Sequence, residues 1–339
     1  MRQEAKSLFL IGWVNFFFAS AFWLYNGRML KSVLKRLLGA LCVLWIAMFG
    51  VFALLTYIPG SRLGYMGIFA DGDLLDRIFS FLHVQPNLFS RYLRYMWDVF
   101  TRFQFASGFR HYDLTGEVLS RLRFTVLLTF AAFVFVVIFG IVLGAFAAYK
   151  KDSFWDRLIS VISTALASIP PFCLAIYLAV IFCVGLKLLP VFGFNGPKYF
   201  ILPTITIGSA AMANTVQSCR YSILEELNKP YVKNLRARGV SEIRILFVHA
   251  LKNALIPTVS MIREMTATVF VSTFIAEWFY SIPGIGYYLI QAINNRDYGV
   301  VMACTMIIAL FVVLFGLISD TAFVFLDPQL RKKDKEAKA

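Results

Sequence analysis

Apolar residues divide the chain into membrane-length runs that are separated by shorter polar segments. Five runs are nearly free of charge and long enough for a helix to cross a bilayer, which takes roughly 20 residues. They are residues 33–58, 124–149, 158–186, 256–279 and 300–325. The pattern predicts an all-α, polytopic membrane protein, because a helix satisfies its own backbone hydrogen bonds in lipid.

A sixth run, residues 201–218, is shorter and contains Thr, Ser, Asn and Gln. Small and hydroxylated residues are typical of a membrane helix that packs against other helices instead of lipid. We therefore expect a sixth core span that is buried among the others. Gly140 and Gly144 form a small-xxx-small pattern for close helix packing, and Pro170-Pro171 should kink the run at 158–186.

The first 28 residues contain a further apolar run, residues 8–25, which Arg2 and Lys6 precede. Three interpretations remain open for it. The first is an extra span with its N-terminus outside, which the stronger positive cluster after residue 27 favours. The second is an interfacial helix, and the third is a segment upstream of a true start at Met29. Ala19-Ser20-Ala21 loosely resembles a signal-peptidase site, so cleavage is a fourth alternative.

Positive charge follows the boundaries of the apolar runs. The formal net charge is +14, and clusters of Lys and Arg stand before residue 38, at Lys150-Lys151 and in the tail 331–339. The positive-inside bias places these clusters, and hence the C-terminus, in the cytoplasm. This distribution explains the basic composition without nucleic acid as a partner.

The same pattern divides the chain into segments. After the extension 1–28, residues 29–59 form the first core span, and residues 60–123, which are mixed in charge and rich in aromatic residues, form an extracytoplasmic subdomain with short surface helices. Residues 124–330 form a five-span core with a cytoplasmic loop at 220–255. Residues 331–339 are a basic cytoplasmic tail.

Motifs of enzymes and metal sites are missing from the sequence. No GxxxxGK[ST] loop occurs, so this chain does not bind ATP through one, and no GxSxG or HExxH motif occurs. The three histidines, His83, His111 and His249, are too scattered for a metal site, and the five cysteines have no CxxC spacing. We therefore expect a protein that is not an enzyme and that carries no cofactor or metal of its own.

The loop at 220–255 is basic and regularly patterned. Pro230 predicts a helix start, with Asn228 or Lys229 as the cap, and Gly239 predicts its end. A second helix should begin near Ser241, with one apolar face. That face comprises Ile243, Leu246, Phe247, Ala250, Leu251, Ala254 and Leu255. Taken alone, the pattern favours a basic amphipathic helix that rests on anionic lipid headgroups.

The segment YVKNLRARGVSEIRILFVHALKNALIP, residues 231–257, also resembles the cytoplasmic loop of permease subunits of binding-protein-dependent ABC importers of the dipeptide, oligopeptide and nickel class. Matching positions are Tyr231, Val232, Arg236, Ala237, Gly239, Ser241, His249, Ala250, Leu251, Asn253, Ala254 and Pro257. SIPPF (168–172), ILPTIT (201–206), PGIG (283–286) after Glu277, RDY (296–298) and LDPQLR (326–331) are similar to further landmarks, in the same order. MLKSVLKRLL and the long loop after YIPG resemble the B-type member of the permease pair.

The resemblance implies a type I ABC importer permease with six core helices in the bacterial inner membrane. It implies import of di- or oligopeptides from an extracytoplasmic binding protein, with a C-type permease as partner and two ATPase subunits that bind ATP and Mg. A nickel or metal-chelate importer is the alternative, and a channel or ion-driven carrier is a remote one. The helix that ends at Gly239 would be the coupling helix in a groove of the ATPase. Its loop residues are Tyr231, Val232, Leu235, Arg236, Ala237, Arg238, Gly239, Val240 and Ser241.

The sequence departs from that family pattern at several points. Leu235 stands where Ala is usual in the coupling loop, and Arg123 stands where Pro commonly follows R-L. FQFASG, residues 103–108, replaces the usual GDLG. We therefore expect a looser or compensated fit at Leu235, and no detailed transfer of binding-protein contacts.

Arg263 and Glu264 lie within the apolar run at 256–279. Charges inside a membrane are costly and tend to face a cavity or a partner. We expect at least one of them to line the translocation path near its cytoplasmic mouth. Pairing with a neighbouring helix or with lipid headgroups is the alternative.

Overall fold

The computed structural model describes residues 27–57, 88–102 and 114–326, and the regular structure in these ranges is helical. The α-helices are α1 Gly27–Tyr57, α2 Leu88–Arg102, α3 Leu114–Tyr149, α4 Phe154–Ser168, α5 Pro171–Leu178, α6 Lys198–Leu227, α7 Pro230–Ala237, α8 Glu242–Arg244, α9 Leu251–Phe279, α10 Ile285–Asn294 and α11 Tyr298–Leu326. Two π-helical segments, Ala179–Gly185 and Ile245–Ala250, follow α5 and join α8 to α9. The predicted all-α class is confirmed.

Two compact units divide the chain, Met1–Val51 and Phe52–Ala339. The described part of the first unit belongs to α1. In the second unit, α2 packs Tyr92 and Tyr95 against Phe52, with ring centroids 5.6 and 5.8 Å apart. A helix thus lies within the predicted subdomain 60–123. Residues 1–26, 58–87, 103–113 and 327–339, which include the predicted tail 331–339, lie outside the described residues.

Four helices in the described ranges are long and apolar enough to cross a membrane. They are Gly116–Tyr149, Lys198–Leu227, Glu242–Phe279 and Tyr298–Gly316. Three of them confirm the runs predicted at 124–149, 256–279 and 300–325. The fourth, Lys198–Leu227, contains the shorter run predicted at 201–218 and is 30 residues long, so it also has membrane-spanning length.

Helix α6 is the most enclosed of these four helices, with 61% of its apolar window buried. Its hydroxylated residues Thr206, Ser209 and Thr215 are buried, as their small polar side chains led us to expect. Helix α3 approaches it closely: a Cβ on Gly140 would lie 2.6 Å from Thr215 Cγ2, and one on Gly144 2.7 Å from Cys219 Cβ. The small-residue stripe is therefore a packing surface for α6.

The run predicted as one kinked span at 158–186 is two helical arms bent by 113°. The bend has a local cause. Ile169 precedes a proline and adopts an extended backbone, with φ −82° and ψ 124°, while Pro171 occupies the first turn of α5. Counted as one span, the bent pair would bring the membrane-length helices of the described region to five.

A buried ion pair fastens α4 to α6. Arg220 Nε and Nη2 donate to the two oxygens of Asp156 at 2.6 and 2.8 Å. Asp156 is 2% exposed and also accepts the Asp152 backbone N–H at 3.0 Å. Two parallel charge-assisted bonds to a buried carboxylate fix both distance and orientation, so this end of α6 is held rigidly.

Glu277, near the end of α9, caps the N-terminus of α10. Its side chain is fully buried, and its Oε2 accepts the backbone N–H groups of Gly286 at 2.7 Å and Tyr287 at 3.3 Å. A carboxylate is favourable there because the first N–H groups of a helix lack partners within the helix. Gly284 lies so close that a Cβ on it would overlap the carboxyl group of Glu277. The PGIG motif thus marks the junction between α9 and α10.

Candidate functional site

Helix α7 forms where the sequence predicts it. Lys229 is the extended residue before the helix, Pro230 occupies the first turn, and the helix ends at Ala237. Gly239 then adopts φ +74°, in the left-handed region, and its N–H donates to the Arg236 carbonyl at 2.9 Å. The Val240 N–H donates to the Leu235 carbonyl at 3.2 Å. Proline and glycine therefore define both ends of a short, rigid helix.

The predicted amphipathic helix and the span at 256–279 form one continuous helix. Ser241 is the extended residue before α8, and the chain remains helical for 38 residues, from Glu242 to Phe279, with Pro257 inside. The buried face near its start packs against α3 and α6. This buried cluster comprises Ala145, Ala148, Cys219, Ile223, Leu246 and Ala254.

The predicted apolar face is wrong in its first two turns. Ile243 and Phe247 are 56% and 50% exposed, whereas Ile245, which the periodicity left out, is fully buried. The π-helical segment Ile245–Ala250 explains the difference. A π-turn holds more residues than an α-turn and so shifts the register of the buried face.

Most of α7 and the following turn is exposed, and one residue anchors it. Val232 is fully buried, and Tyr231, Leu235 and Val240 are half-buried. The exposed residues are Lys233, Asn234, Arg236, Ala237, Arg238, Gly239 and Ser241. The structure thus brings the nine predicted loop residues together on one basic protrusion, which Val232 fixes to the core.

Arg236 is bound within the chain. Its Nε and Nη2 donate to Glu242 Oε1 at 2.7 Å and Oε2 at 3.2 Å. This bidentate pair closes the turn at Gly239 from its exposed side and joins α7 to α8. One of the arginines that the resemblance places in the loop is therefore already held by a carboxylate of this chain.

Glu226, one residue before the end of α6, is a component that the sequence interpretation missed. It is 8% exposed, and its carboxylate accepts hydrogen bonds from Lys229 Nζ, from Tyr231 OH at 2.9 Å and from Asn253 Nδ2 at 3.4 Å. Burial and the bond to Glu226 raise the pKa of the Tyr231 phenol, which therefore stays protonated as a donor. Tyr231 and Asn253 are both among the matching positions of the motif, and they were the available signal in the sequence for this cluster.

Arg263 and Glu264 line one cavity, although adjacent residues on a helix point in different directions. Arg263 is half-buried and Glu264 is exposed. The cavity has a volume of about 260 Å³ and lies between α9 and α11. Its other lining residues are Thr266, Ala267, Phe270, Val312, Phe315 and Gly316. Charged and aromatic residues thus line the same cavity beside α9.

Comparison with known proteins identifies the family of this chain. Residues 140–332, more than half of the chain, match the family described as binding-protein-dependent transport system inner membrane component. This chain belongs to that family. The matched region contains α7, the junction at Gly239, the Glu226 cluster and the cavity at Arg263.

Two relatives extend the similarity to nearly the whole permease. The glutathione transport system permease protein GsiC of Escherichia coli (strain K12) is 30% identical over 306 residues, which cover 90% of this chain and all of that protein. The dipeptide transport system permease protein DppB of Bacillus subtilis (strain 168) is 29% identical over 309 residues, 91% of this chain and again its full length. The resemblance seen at residues 231–257 is therefore confirmed over about nine tenths of the chain.

The permease is accordingly a membrane-spanning subunit of an ABC importer and not an enzyme. Importers of this family depend on a substrate-binding protein and on ATPase subunits, so those two kinds of partner follow from membership. The family is a component of the inner membrane, which agrees with the apolar helices of the described region.

Proposed function

We propose that this permease imports peptides, of two to a few residues, that an extracytoplasmic binding protein delivers. The observation that carries the proposal is the full-length similarity to a glutathione permease and a dipeptide permease, since glutathione is itself a short peptide. The alternative, import of nickel or a metal chelate, rests on the permease motifs that both kinds of importer share.

The working assembly in this proposal is a heterodimer with a C-type permease and two ATPases that bind ATP and Mg. The N-terminal segment and the long loop after YIPG support the B-type role. The basic clusters at Lys150-Lys151 and in the tail 331–339 support a cytoplasmic C-terminus in a bacterial inner membrane.

Coupling to the ATPases is assigned to α7. The helix is mostly exposed and is bounded by Pro230 and Gly239, and the exposed cations are Lys233 within it and Arg238 directly after it. Such groups suit charge-assisted contacts with acidic side chains in a groove of the ATPase. Closure of the two ATPases would then displace α7 and drive alternating access by moving the attached spans.

Uptake competition tests the peptide assignment. Proteoliposomes that contain the whole complex and its binding protein are expected to accumulate radiolabelled alanyl-alanine with ATP inside, and unlabelled di- and tripeptides should compete. A nickel–histidine chelate should not. The control replaces ATP with a non-hydrolysable analogue. Competition by the nickel chelate, together with none by the peptides, would establish the alternative substrate class.

The cavity between α9 and α11 supplies the proposed translocation path. Arg263 and Glu264 both line this cavity, and Phe270 and Phe315 also line it. These are the groups that a zwitterionic peptide with apolar side chains would contact while it passes. A charged group inside a membrane helix that faces a cavity also fits the usual location of such residues.

Arg263→Met tests this path. We expect dipeptide uptake to fall by about tenfold, equivalent to ~1.4 kcal/mol of lost stabilisation, because the cavity wall loses its cation. The matched control is Arg157→Met, which removes an exposed cation on α4. Uptake and stimulated ATP hydrolysis should be measured together on each complex. If both stay at the wild-type level in Arg263→Met, Arg263 serves packing and not the path.

A further inference from the structure

We infer that Glu226 is a positioning residue for energy coupling: its buried carboxylate locks α7 to α6 and α9, so that the three helices move as one body. The inference rests on the proposed docking of α7 to an ATPase. It adds the connection through which a displacement of α7 reaches the membrane spans.

The geometry supports this connection. Glu226 belongs to α6, and its three donors come from three different segments: Lys229 from the link after α6, Tyr231 from α7 and Asn253 from α9. Asn253 Nδ2 also lies 3.5 Å from Tyr231 OH. The Glu226 side chain thus connects α6 to Asn253, which lies 27 positions later in the sequence.

The carboxylate is also attached to a rigid support. Helix α6 is held to α4 by the buried pair of Arg220 with Asp156, and to α3 by the close approach at Gly140 and Gly144. A hydrogen bond to a charged group is stronger than one between neutral groups, and Glu226 is almost inaccessible to competing water. Force on α7 therefore passes into the centre of the bundle.

Without the carboxylate, α7 would keep fewer constraints. Tyr231 and Asn253 would retain only their mutual contact, and Val232 would be the remaining buried side chain of α7. Arg236 binds Glu242 at the start of the continuous helix, but that pair is exposed to water, where an ion pair contributes little to holding two helices together. We expect α7 to rotate or tilt on its apolar anchor when the ATPase moves it.

The test compares Glu226→Ala with Glu225→Ala in the complete complex in proteoliposomes. Glu225 lies on the same helical turn but is exposed, so it controls for the loss of a negative charge. The measured quantity is alanyl-alanine transported per ATP hydrolysed. Glu226→Ala should lower this ratio at least about fivefold, the lower end of typical coupling free energies, and Glu225→Ala should leave it within about twofold. Equal ratios in the two variants would overturn the inference.

A conservative series separates positioning from general stability. Glu226→Gln keeps an acceptor for Tyr231 OH and should lower the ratio less than Glu226→Ala. Hydrogen exchange of the backbone amides of α7 from Tyr231 onward should be faster in Glu226→Ala than in Glu225→Ala, because α7 loses its attachment. Lower thermal stability with an unchanged ratio would contradict the positioning role. If Glu226→Ala does not assemble, Tyr231→Phe, which removes the hydroxyl that donates to Glu226, carries the test, and its ratio should fall at least about threefold, outside the range allowed for Glu225→Ala, because a hydrogen bond to a charged group is lost.

A cross-link distinguishes failure of this inference from failure of the proposed docking. A photoreactive residue at the exposed Asn234 should cross-link to the ATPase subunit in the wild-type background. If it does and Glu226→Ala remains coupled, only the positioning role is wrong. If it does not, α7 is not the docking helix and the inference fails together with the docking proposal.

Discussion

Gly239→Val is expected to lower ATP-dependent uptake at least tenfold while the complex still assembles. Gly239 has φ +74°, which a β-branched residue adopts only under strain of about 1–3 kcal/mol. A Cβ at this position would meet no atom within 4 Å, so the penalty comes from the backbone and not from a clash. The expected result is a rearranged turn, not an unfolded protein.

The rearrangement matters because the turn sets the direction of α7. Two backbone hydrogen bonds, Gly239 N–H to Arg236 and Val240 N–H to Leu235, and the pair of Arg236 with Glu242 all depend on it. Gly239→Asn is the matched control, since asparagine tolerates the left-handed region, and it should retain most uptake. Uptake, ATP hydrolysis and recovery of the complex by size exclusion are the measurements. Wild-type uptake by the valine variant would refute the coupling role of this turn.

Gly284→Ala is expected to destabilise the permease strongly. The new methyl group would overlap the carboxyl group of Glu277, which the N–H groups of Gly286 and Tyr287 hold in place. Overpacking of a buried site typically costs about 1–3 kcal/mol. We expect a lower midpoint of thermal unfolding and less assembled complex, measured by heating followed by fluorescence-detected size exclusion.

A double-mutant cycle identifies the cause of that loss. In a Glu277→Ala background the carboxyl group is absent, so Gly284→Ala should cost much less than it does in the wild type. Gly50→Ala is the matched control, because a Cβ there would meet no atom within 4 Å. Strictly additive effects of Gly284→Ala and Glu277→Ala would show that the two positions do not conflict.

The parts of the fold and site that local rules control could be predicted. Pro230 and Gly239 set the bounds of α7 through backbone conformation alone, which needs no knowledge of the neighbours. Composition predicted the long apolar helices, and the hydroxyl groups of α6 predicted its burial. In each case the information lies within a few consecutive residues.

Features that depend on tertiary placement were not predictable in the same way. Pro170-Pro171 indicated a kink, but the 113° angle depends on what each arm packs against. A π-helical segment has no reliable sequence signal, and it moved Ile245 to the buried face. The Glu226 cluster joins residues up to 27 positions apart, and the bond of Arg236 with Glu242 crosses a turn, so neither follows from helical spacing.

The continuous helix from Glu242 to Phe279 is long enough to convert a small tilt into a large displacement of its far end. At 1.5 Å per residue, 38 residues of straight α-helix would extend over at most about 57 Å, so a tilt of roughly 5° about one end displaces the other by up to about 5 Å. One end adjoins the turn at Gly239, and Glu277, which holds α10, lies near the other. Under the proposed docking of α7, a small angular motion at the Gly239 end would therefore become a displacement of several ångströms at the Glu277 end.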